Sequence, residues 1–450
     1  MVKYRYLSIL FLIILFLFQL SFIDTNTTNY YWDEVVYLHL ADNLHNNLGY
    51  NSSIGESFRP PLVPGILSIT SNQLAQHIIF SLILTLSLYL LYLFVSKIYT
   101  EREGFISLIM FSTLPLTLFW GSKLLTEGLS LLLIISSLYL FHKYTKSQNQ
   151  KYFYLASIIS ALAFMTRPTN IALILSFALY LIIKQKGHTF KNKHNYIAII
   201  LFLITLLPWF YLNIKYFQNP IGMLLIQKDL TIETTNYLFY FENLFSNLSL
   251  ILFFFIYSLF SIKNNLKKIP IIYIFTALYL FLITILIAHN TQNRFFLLVI
   301  PTITIIAIQG YKKLRKQFQS HKFLIDLIII TIAILNLISA QELITNDQAN
   351  TKFLIDTTKE LTNYPEEKIF CNSLPYCLYF GNKESYELPE NATALEKLKK
   401  QEGINLVLTD NYHNPINYIN HLEENATKIF TKQKGFKHLT LYQLNEENDQ

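Results

Sequence analysis

Apolar residues recur in runs long enough to cross a lipid bilayer over the first three quarters of the chain. A helix of about 20 apolar residues spans the hydrocarbon core with every backbone group satisfied internally. Eleven segments fit that pattern: 7–23, 75–97, 104–120, 125–142, 153–167, 168–184, 196–213, 248–262, 270–288, 295–310 and 323–339. They predict an α-helical polytopic membrane protein of about 11 transmembrane helices. No small-residue cleavage site follows segment 7–23, so it reads as an uncleaved first span rather than a signal peptide.

Beyond Gln341 the pattern changes. Charge rises, and short apolar runs alternate with polar helical stretches. Lys368–Cys371, Cys377–Phe380 and Ile404–Thr409 read as strands, and Ala392–Gln401 and Asn414–Glu424 as helices. The expected organisation is a multispanning domain over 1–340 and a small soluble α/β domain over 341–450.

Composition agrees: of 450 residues, 52% are hydrophobic and 14% charged, too apolar for an ordinary soluble protein of this size. The net charge of +7 matters less than its distribution. With the N-terminus in the cytoplasm, cytoplasmic segments collect nineteen Lys and Arg, from Lys3 to Lys322. The outer loops collect six: Arg59, Lys123, Arg167, Lys215, Lys228 and Arg294. This positive-inside bias puts the loops 24–74 and 214–247, and the tail, on the outer face of a cell membrane. The Asn-x-Ser/Thr sequons at Asn26, Asn51, Asn247, Asn391 and Asn425 fall on the same side. The basic clusters lie in short loops between apolar segments, which argues against nucleic-acid binding. The chain has only 12 glycines and no phosphate-cradling glycine loop, which disfavours direct use of a nucleotide. No internal repeat is visible, and the lack of eukaryotic retrieval signals points to a prokaryote. Cys371 and Cys377 are the only cysteines. They read either as a disulfide on an oxidising face or as two unpaired core thiols, and with no His pair nearby they make no zinc site.

The candidate chemistry gathers on the outer side. Asp33 and Glu34 follow the first span, and acids near lipid are costly, about 2.5–3.5 kcal/mol each at the bilayer centre and less near the interface. Val36, Leu40, Leu44 and Leu48 recur every fourth residue, which predicts an amphipathic helix on the membrane surface, closed by Gly49 at C′. Asp33 is then either its N-cap, with Glu34 complementing the dipole, or a general base; a capped carboxylate is also a well-oriented one. Pro60, Pro61 and Pro64 stiffen the approach to span two, and Arg59 beside them is a cation a rigid turn does not need. Lys123, Arg167 and Arg294 stand at the depth of a lipid phosphate, as snorkelling residues or as phosphate ligands. Glu127 reads as a first-turn acid behind a capping Thr126, or as a second acid at the site. His39, His45, His77 and His289 match no metal motif. Asp33 and Glu34 could hold a divalent ion, but the expectation is a site that requires no metal or other cofactor.

In their order along the chain, these pieces resemble the GT-C superfamily of polytopic glycosyltransferases, in the branch of dolichyl-phosphate-mannose protein mannosyltransferases and lipid A aminoarabinose transferases. Asp33-Glu34 resembles that family's first-loop acidic motif, and Arg59-Pro60-Pro61-Leu62 its approach to span two. Glu127 in Leu124-Leu125-Thr126-Glu127-Gly128-Leu129 resembles the second acidic position. Leu162–Thr169, with Thr166-Arg167-Pro168-Thr169, and Arg294-Phe295 through Pro301 resemble two further family segments. The resemblance covers roughly residues 1–340; the tail and the loop 214–247 follow no assigned pattern. It implies inverting transfer of one sugar from a polyprenyl-phosphate donor to a glycan, protein or lipid acceptor. Asp33, Glu34 and Glu127 would be the catalytic acids; Arg59, Lys123, Arg167 and Arg294 would hold the donor phosphate. The competing classes are a transporter or lipid-linked glycan flippase, a polymerase or ligase using diphosphate-linked donors, and a membrane anchor for an active tail.

Overall fold

The computed structural model describes residues 2–23, 30–50, 59–229, 236–262, 266, 268–285, 291–389, 391–411, 418–434 and 437–445. Asn26, Asn51, Phe58, Lys263, Lys267, His289 and the start of the predicted helix at 414–417 lie outside the described residues. The chain divides into two compact units: residues 1–23 with 58–344, and residues 24–57 with 345–450.

The first unit is helical. Its first helices are α1 (Val2–Leu20), α3 (Leu62–Leu67), α4 (Gln73–Ile98), α5 (Glu101–Ser112), α6 (Pro115–Gly121), α7 (Thr126–Ser147) and α8 (Gln150–Thr166). They continue with α9 (Ala172–Gln185), α10 (Lys193–Thr205) and α11 (Leu207–Phe217); α2 (Trp32–His45) belongs to the second unit. Among the described residues, four helical stretches are long and apolar enough to cross a membrane: Lys3–Leu20, Gln73–Ile98, Pro168–Gln185 and Gln319–Asn363. The number rises to six if the bent pairs α5–α6 (72°) and α10–α11 (44°) each count as one span. The predicted spans 104–120 and 196–213 are therefore broken, and Pro115 and Pro208 at the second half of each break explain why: proline supplies no N–H to the preceding turn. Leu250–Leu259 and Pro270–Ile285 are shorter apolar helices, and Ile300–Gln317 is a helix of 18 residues that ends in a basic turn.

Packing in this unit uses small and hydroxylic residues, as membrane helices do when neighbours on every side are equally apolar. Ser137 Oγ on α7 donates to the Ala156 carbonyl (2.9 Å) and meets Ser160 Oγ on α8 (2.7 Å). Phe141 stacks on Phe177 with ring centroids 4.0 Å apart. Large apolar side chains face outward on α1 (Ile13, Ile14, Leu17) and on α10 (Ile199, Ile200, Leu203, Ile204), where lipid would cover them.

The second unit contains a five-stranded sheet of order β2-β1-β3-β5-β4, with β1 (Lys368–Cys371), β2 (Glu384–Tyr386), β3 (Leu406–Asp410), β4 (Ala426–Lys434) and β5 (Lys437–Leu444). β1 runs parallel to β2 and β3; β5 is antiparallel to β3 and β4, and β4 carries a bulge between Lys428 and Phe430. Asn391 caps the helix Ala392–Glu402 through Ala394 N–H (2.9 Å). The predicted strand Cys377–Phe380 is instead part of a helix, Leu374–Tyr379. Tyr-Cys-Leu-Tyr favours a strand by composition, but Pro375 in the first turn and a disulfide from Cys377 to Cys371 at the end of β1 fix the other conformation.

The loop helix α2 is also in this unit. Tyr376 Oη donates to the Tyr30 carbonyl (2.6 Å), Tyr379 Oη donates to Asp42 Oδ2 (3.0 Å), and the Trp32 ring meets Tyr376 edge-on. Residues 33–38 of α2 are buried without a break, so it is a packed helix rather than one with a single apolar stripe. It stops earlier than the apolar spacing suggests. Asn47, at φ +59°, takes the C′ place expected of Gly49. The Asn47 and Leu48 N–H groups close onto the carbonyls of Leu44 (3.2 Å) and Asn43 (2.8 Å), a Schellman ending.

Candidate active site

The charged centre of the first unit is built where three chain turns meet. Between α6 and α7, the Leu125 N–H closes onto the Lys123 carbonyl at 2.7 Å and throws the chain into α7. The N-cap of α7 is Leu125, which offers no side-chain acceptor; Thr126 is the first helical residue and not the cap expected from sequence. Its hydroxyl lies 3.3 Å from Glu127 Oε2 instead. Glu127 therefore stands in an uncapped first turn, where the helix dipole favours its charge. Gly128 permits the turn to approach α6: a Cβ there would lie 2.4 Å from the Gly121 carbonyl oxygen.

Arg167 ends α8 in an extended conformation (φ −155°, ψ 121°), which the clash with a following proline ring imposes. Asn170 fixes the turn after it, donating to Ser130 Oγ (3.1 Å) and to the Ala163 carbonyl (2.9 Å). Arg294 comes from the short helix Asn293–Leu297.

These three side chains meet. Arg167 Nη1 donates to Glu127 Oε1 at 2.7 Å, and Arg294 Nε stands 3.7 Å from the same oxygen. The Glu127 side chain is fully buried, and those of Arg167 and Arg294 are 11% and 10% exposed. Aromatic rings replace part of the lost hydration. Phe295 lies 4.2 Å from the Arg167 guanidinium carbon and 5.5 Å from that of Arg294, which is also 5.7 Å from the Trp120 ring. One carboxylate and two guanidiniums sum to one positive charge.

Lys123 is buried with its ammonium 4.7 Å above the Phe119 ring, and Arg59 is half-buried just before α3. Asp33 and Glu34 belong to the second unit, in the first turn of α2. The N-cap of α2 is Tyr31, so Asp33 is a first-turn residue and not the cap. Glu34 Oε2 accepts the Tyr31 N–H at 2.6 Å, a reach back from N3 that satisfies a donor the helix leaves open. Burial, with Tyr379, Glu34 and Asp42 nearby, holds the Tyr30 phenol above its ordinary range, so it stays neutral beside these acids. Among the described residues, no three His, Cys, Asp or Glu side chains converge as a metal site would need.

The structure thus brings Glu127, Arg167 and Arg294 into one contact set and keeps Asp33 with Glu34 as neighbours in another. Sequence reasoning missed Trp120 and the pairing of Tyr376 with Tyr30, since partners far apart in the chain leave no local signal. Phe295 could have been found, because an aromatic residue beside an outer-face arginine is a natural ring for it.

Residues 60–212 match the family model described as dolichyl-phosphate-mannose-protein mannosyltransferase. No curated protein matches the sequence significantly. Among solved structures, ArnT from Cupriavidus metallidurans bound to undecaprenyl phosphate is similar with a TM-score of 0.69 at 10% identity, covering 98% of each chain. The apo state of that protein gives 0.71 at 10% identity and the same coverage. The Archaeoglobus fulgidus oligosaccharyltransferase in complex with Zn and sulfate gives 0.61 at 12% identity, covering 89% of this chain and 67% of that one. The resemblance to the GT-C superfamily read from the motifs is met by the family model and by a shared fold along nearly the whole chain.

Proposed function

We propose that the chain is an inverting glycosyltransferase that moves one sugar from a polyprenyl-phosphate carrier to an acceptor hydroxyl on the outer face of a cell membrane, its eleven spans running from a cytoplasmic N-terminus. The observation that carries this reading is the pair of nearly buried arginines around Glu127. Guanidiniums match phosphate oxygens bidentately and stay charged in apolar surroundings, as a lipid phosphate at a membrane interface requires. The ArnT of similar fold is bound to undecaprenyl phosphate, which supports this lipid class.

In the reaction, Asp33 takes the proton of the acceptor hydroxyl, and the oxygen attacks the anomeric carbon. The bond from that carbon to the phosphate oxygen breaks on the opposite face, and the lipid phosphate departs with the electron pair. Arg167 and Arg294, with Lys123 and Arg59, stabilise the charge that grows on it, so it leaves without a proton. Glu127 holds the two arginines in position. Glu34 anchors the helix that carries Asp33, and the tail domain holds that helix through Tyr376 and Tyr379.

The test is sugar release from a panel of radiolabelled polyprenyl-phosphate sugars and diphosphate-linked glycans, with protein in lipid and cell-derived acceptors. Release from monophosphate donors, lost in Arg294→Gln, supports the reading. Release from diphosphate donors alone would replace it with a glycan ligase. No release from any donor by folded protein would favour a transporter.

A further inference from the structure

The other end of α7 carries a second charged region with the opposite character. Lys97 closes α4, His142, Lys143 and Lys146 lie in the last turns of α7, and Lys268 precedes the helix Pro270–Ile285. Together with Tyr152 they line a cavity of about 480 Å³. Lys146 is nineteen residues from Glu127, about 29 Å along a helix that rises 1.5 Å per residue. This is the end that the loop charges assign to the cytoplasm.

The cavity is a built recess rather than a scatter of surface lysines. His142 is buried at its floor, Lys143 is half-buried, and Lys97, Lys146 and Lys268 stand exposed at the rim. The Lys143 ammonium sits 4.7 Å over the Tyr139 ring and 5.3 Å over that of Tyr152. Lys268 sits 4.3 Å over Tyr99, and Lys312 stands over the same ring at 5.1 Å. Among the described residues, no carboxylate lines the cavity. Among the described residues, Lys97, Lys143, Lys146 and Lys268 make no ion pair, while the nearby Glu103 pairs with Lys312 at 3.9 Å. Partial burial together with Lys312 and Lys146 holds the Lys268 ammonium below its ordinary pKa. Converged like charges repel one another, and an anion in the recess would relieve that.

We propose that this recess binds the phosphate of an anionic phospholipid headgroup. Its depth argues for a lipid over a soluble phosphate: Lys97 is the penultimate residue of Gln73–Ile98, a helix long enough to span the bilayer, so the rim stands where headgroups lie. The four lysines supply charge, Tyr139, Tyr152 and Tyr99 fix two of them, and the acyl chains lie along the outward apolar surface. The site is independent of the glycosyl-transfer reading.

The experiment is binding to full-length, delipidated protein in neutral detergent, with three probes: short-chain phosphatidylglycerol, short-chain phosphatidylcholine and inorganic phosphate. Three proteins are compared: wild type, Lys146→Gln/Lys268→Gln, and Lys313→Gln, whose lysine is exposed on the helix Ile300–Gln317 and lines no described cavity. Wild type is expected to prefer phosphatidylglycerol over both other probes. The double variant should lose about 25-fold in affinity, fivefold for each lysine near an anionic surface, and Lys313→Gln should lose less than twofold. A thermal melt of each protein checks folding. Equal binding of phosphatidylglycerol and phosphatidylcholine overturns the site. Tighter binding of inorganic phosphate than of phosphatidylglycerol overturns the lipid source. Equal losses in both variants would reduce the effect to diffuse surface charge and also overturn it.

Discussion

Two buried acidic centres start from nearly the same sequence pattern and end in different chemistry. Glu127 and the pair Asp33-Glu34 both lie in the first turn of a helix that follows a polar connection. Glu127 is met by Arg167 at 2.7 Å and Arg294 at 3.7 Å, so its charge is spent on holding cations. In α2 the two acids stand side by side: Glu34 turns back to the Tyr31 N–H, and Asp33 is the acid to which the proposed reaction gives the general-base role. A first-turn acid is thus an anchor where arginines reach it and a candidate base where its neighbour satisfies the helix end.

The comparison breaks most decisively on rates. Asp33→Asn should slow transfer by at least about 100-fold, the lower end for general-base catalysis, while stability falls by no more than about 1 kcal/mol, the helix-dipole contribution. Single-turnover transfer and a thermal melt on the same preparation read both; an unchanged rate would make Asp33 a structural residue. Glu127→Gln should fall chiefly on stability, leaving two nearly buried guanidiniums without their carboxylate at a cost of about 3–5 kcal/mol, with transfer slowed as the arginines lose their hold. A melting temperature equal to wild type would show that the arginines do not depend on it.

Three smaller effects sharpen the α2 side. Replacing Cys371 and Cys377 by serine removes a cross-link over six residues. The chain-entropy model predicts a loss of about 2 kcal/mol from the second unit, with slower transfer following as the hold on α2 loosens. Tyr376→Phe should cost about 1 kcal/mol by deleting one hydrogen bond to the Tyr30 carbonyl, seen as faster amide exchange in α2 with exchange in α7 unchanged. The smallest effect is a pH dependence. Burial lowers the His39 pKa below 6.5, outweighing the pull of Asp42. The unfolded chain then takes up a proton that the folded one refuses, so stability is lost as pH falls from about 6.5 towards the folded value. Denaturant melts at pH 7.5 and 5.5 should differ less in His39→Gln.

Much of this architecture is legible in the sequence because it is local. Pro168 dictates the extended Arg167, and the helix Ala392–Glu402 is announced by Asn391 before it and Gly403 after it. Pro115 and Pro208 equally announce the breaks that a hydropathy window smooths over. What is not legible is long-range. The Glu127–Arg167 contact joins residues forty positions apart, and Tyr376–Tyr30 joins residues 346 apart. Thr126 reads as a cap by type, yet the chain turns one residue earlier, at Leu125. The segment Cys377–Phe380 reads as a strand because its aromatic residues suit either state, and Pro375 upstream and the covalent bridge to Cys371 decide for the helix.

The close approach at Gly128 has an evolutionary consequence. With the Gly121 carbonyl 2.4 Å from where a methyl group would stand, this position acts as a register mark between α6 and α7. Substitution there must shift the first turn of α7, which carries Glu127, against α6 without altering any charge. A side chain at 128 meets that backbone carbonyl whatever residue stands at 121, so glycine is expected to persist at 128 among descendants of this chain: drift that leaves every ionisable residue intact could silence the protein through a single added carbon.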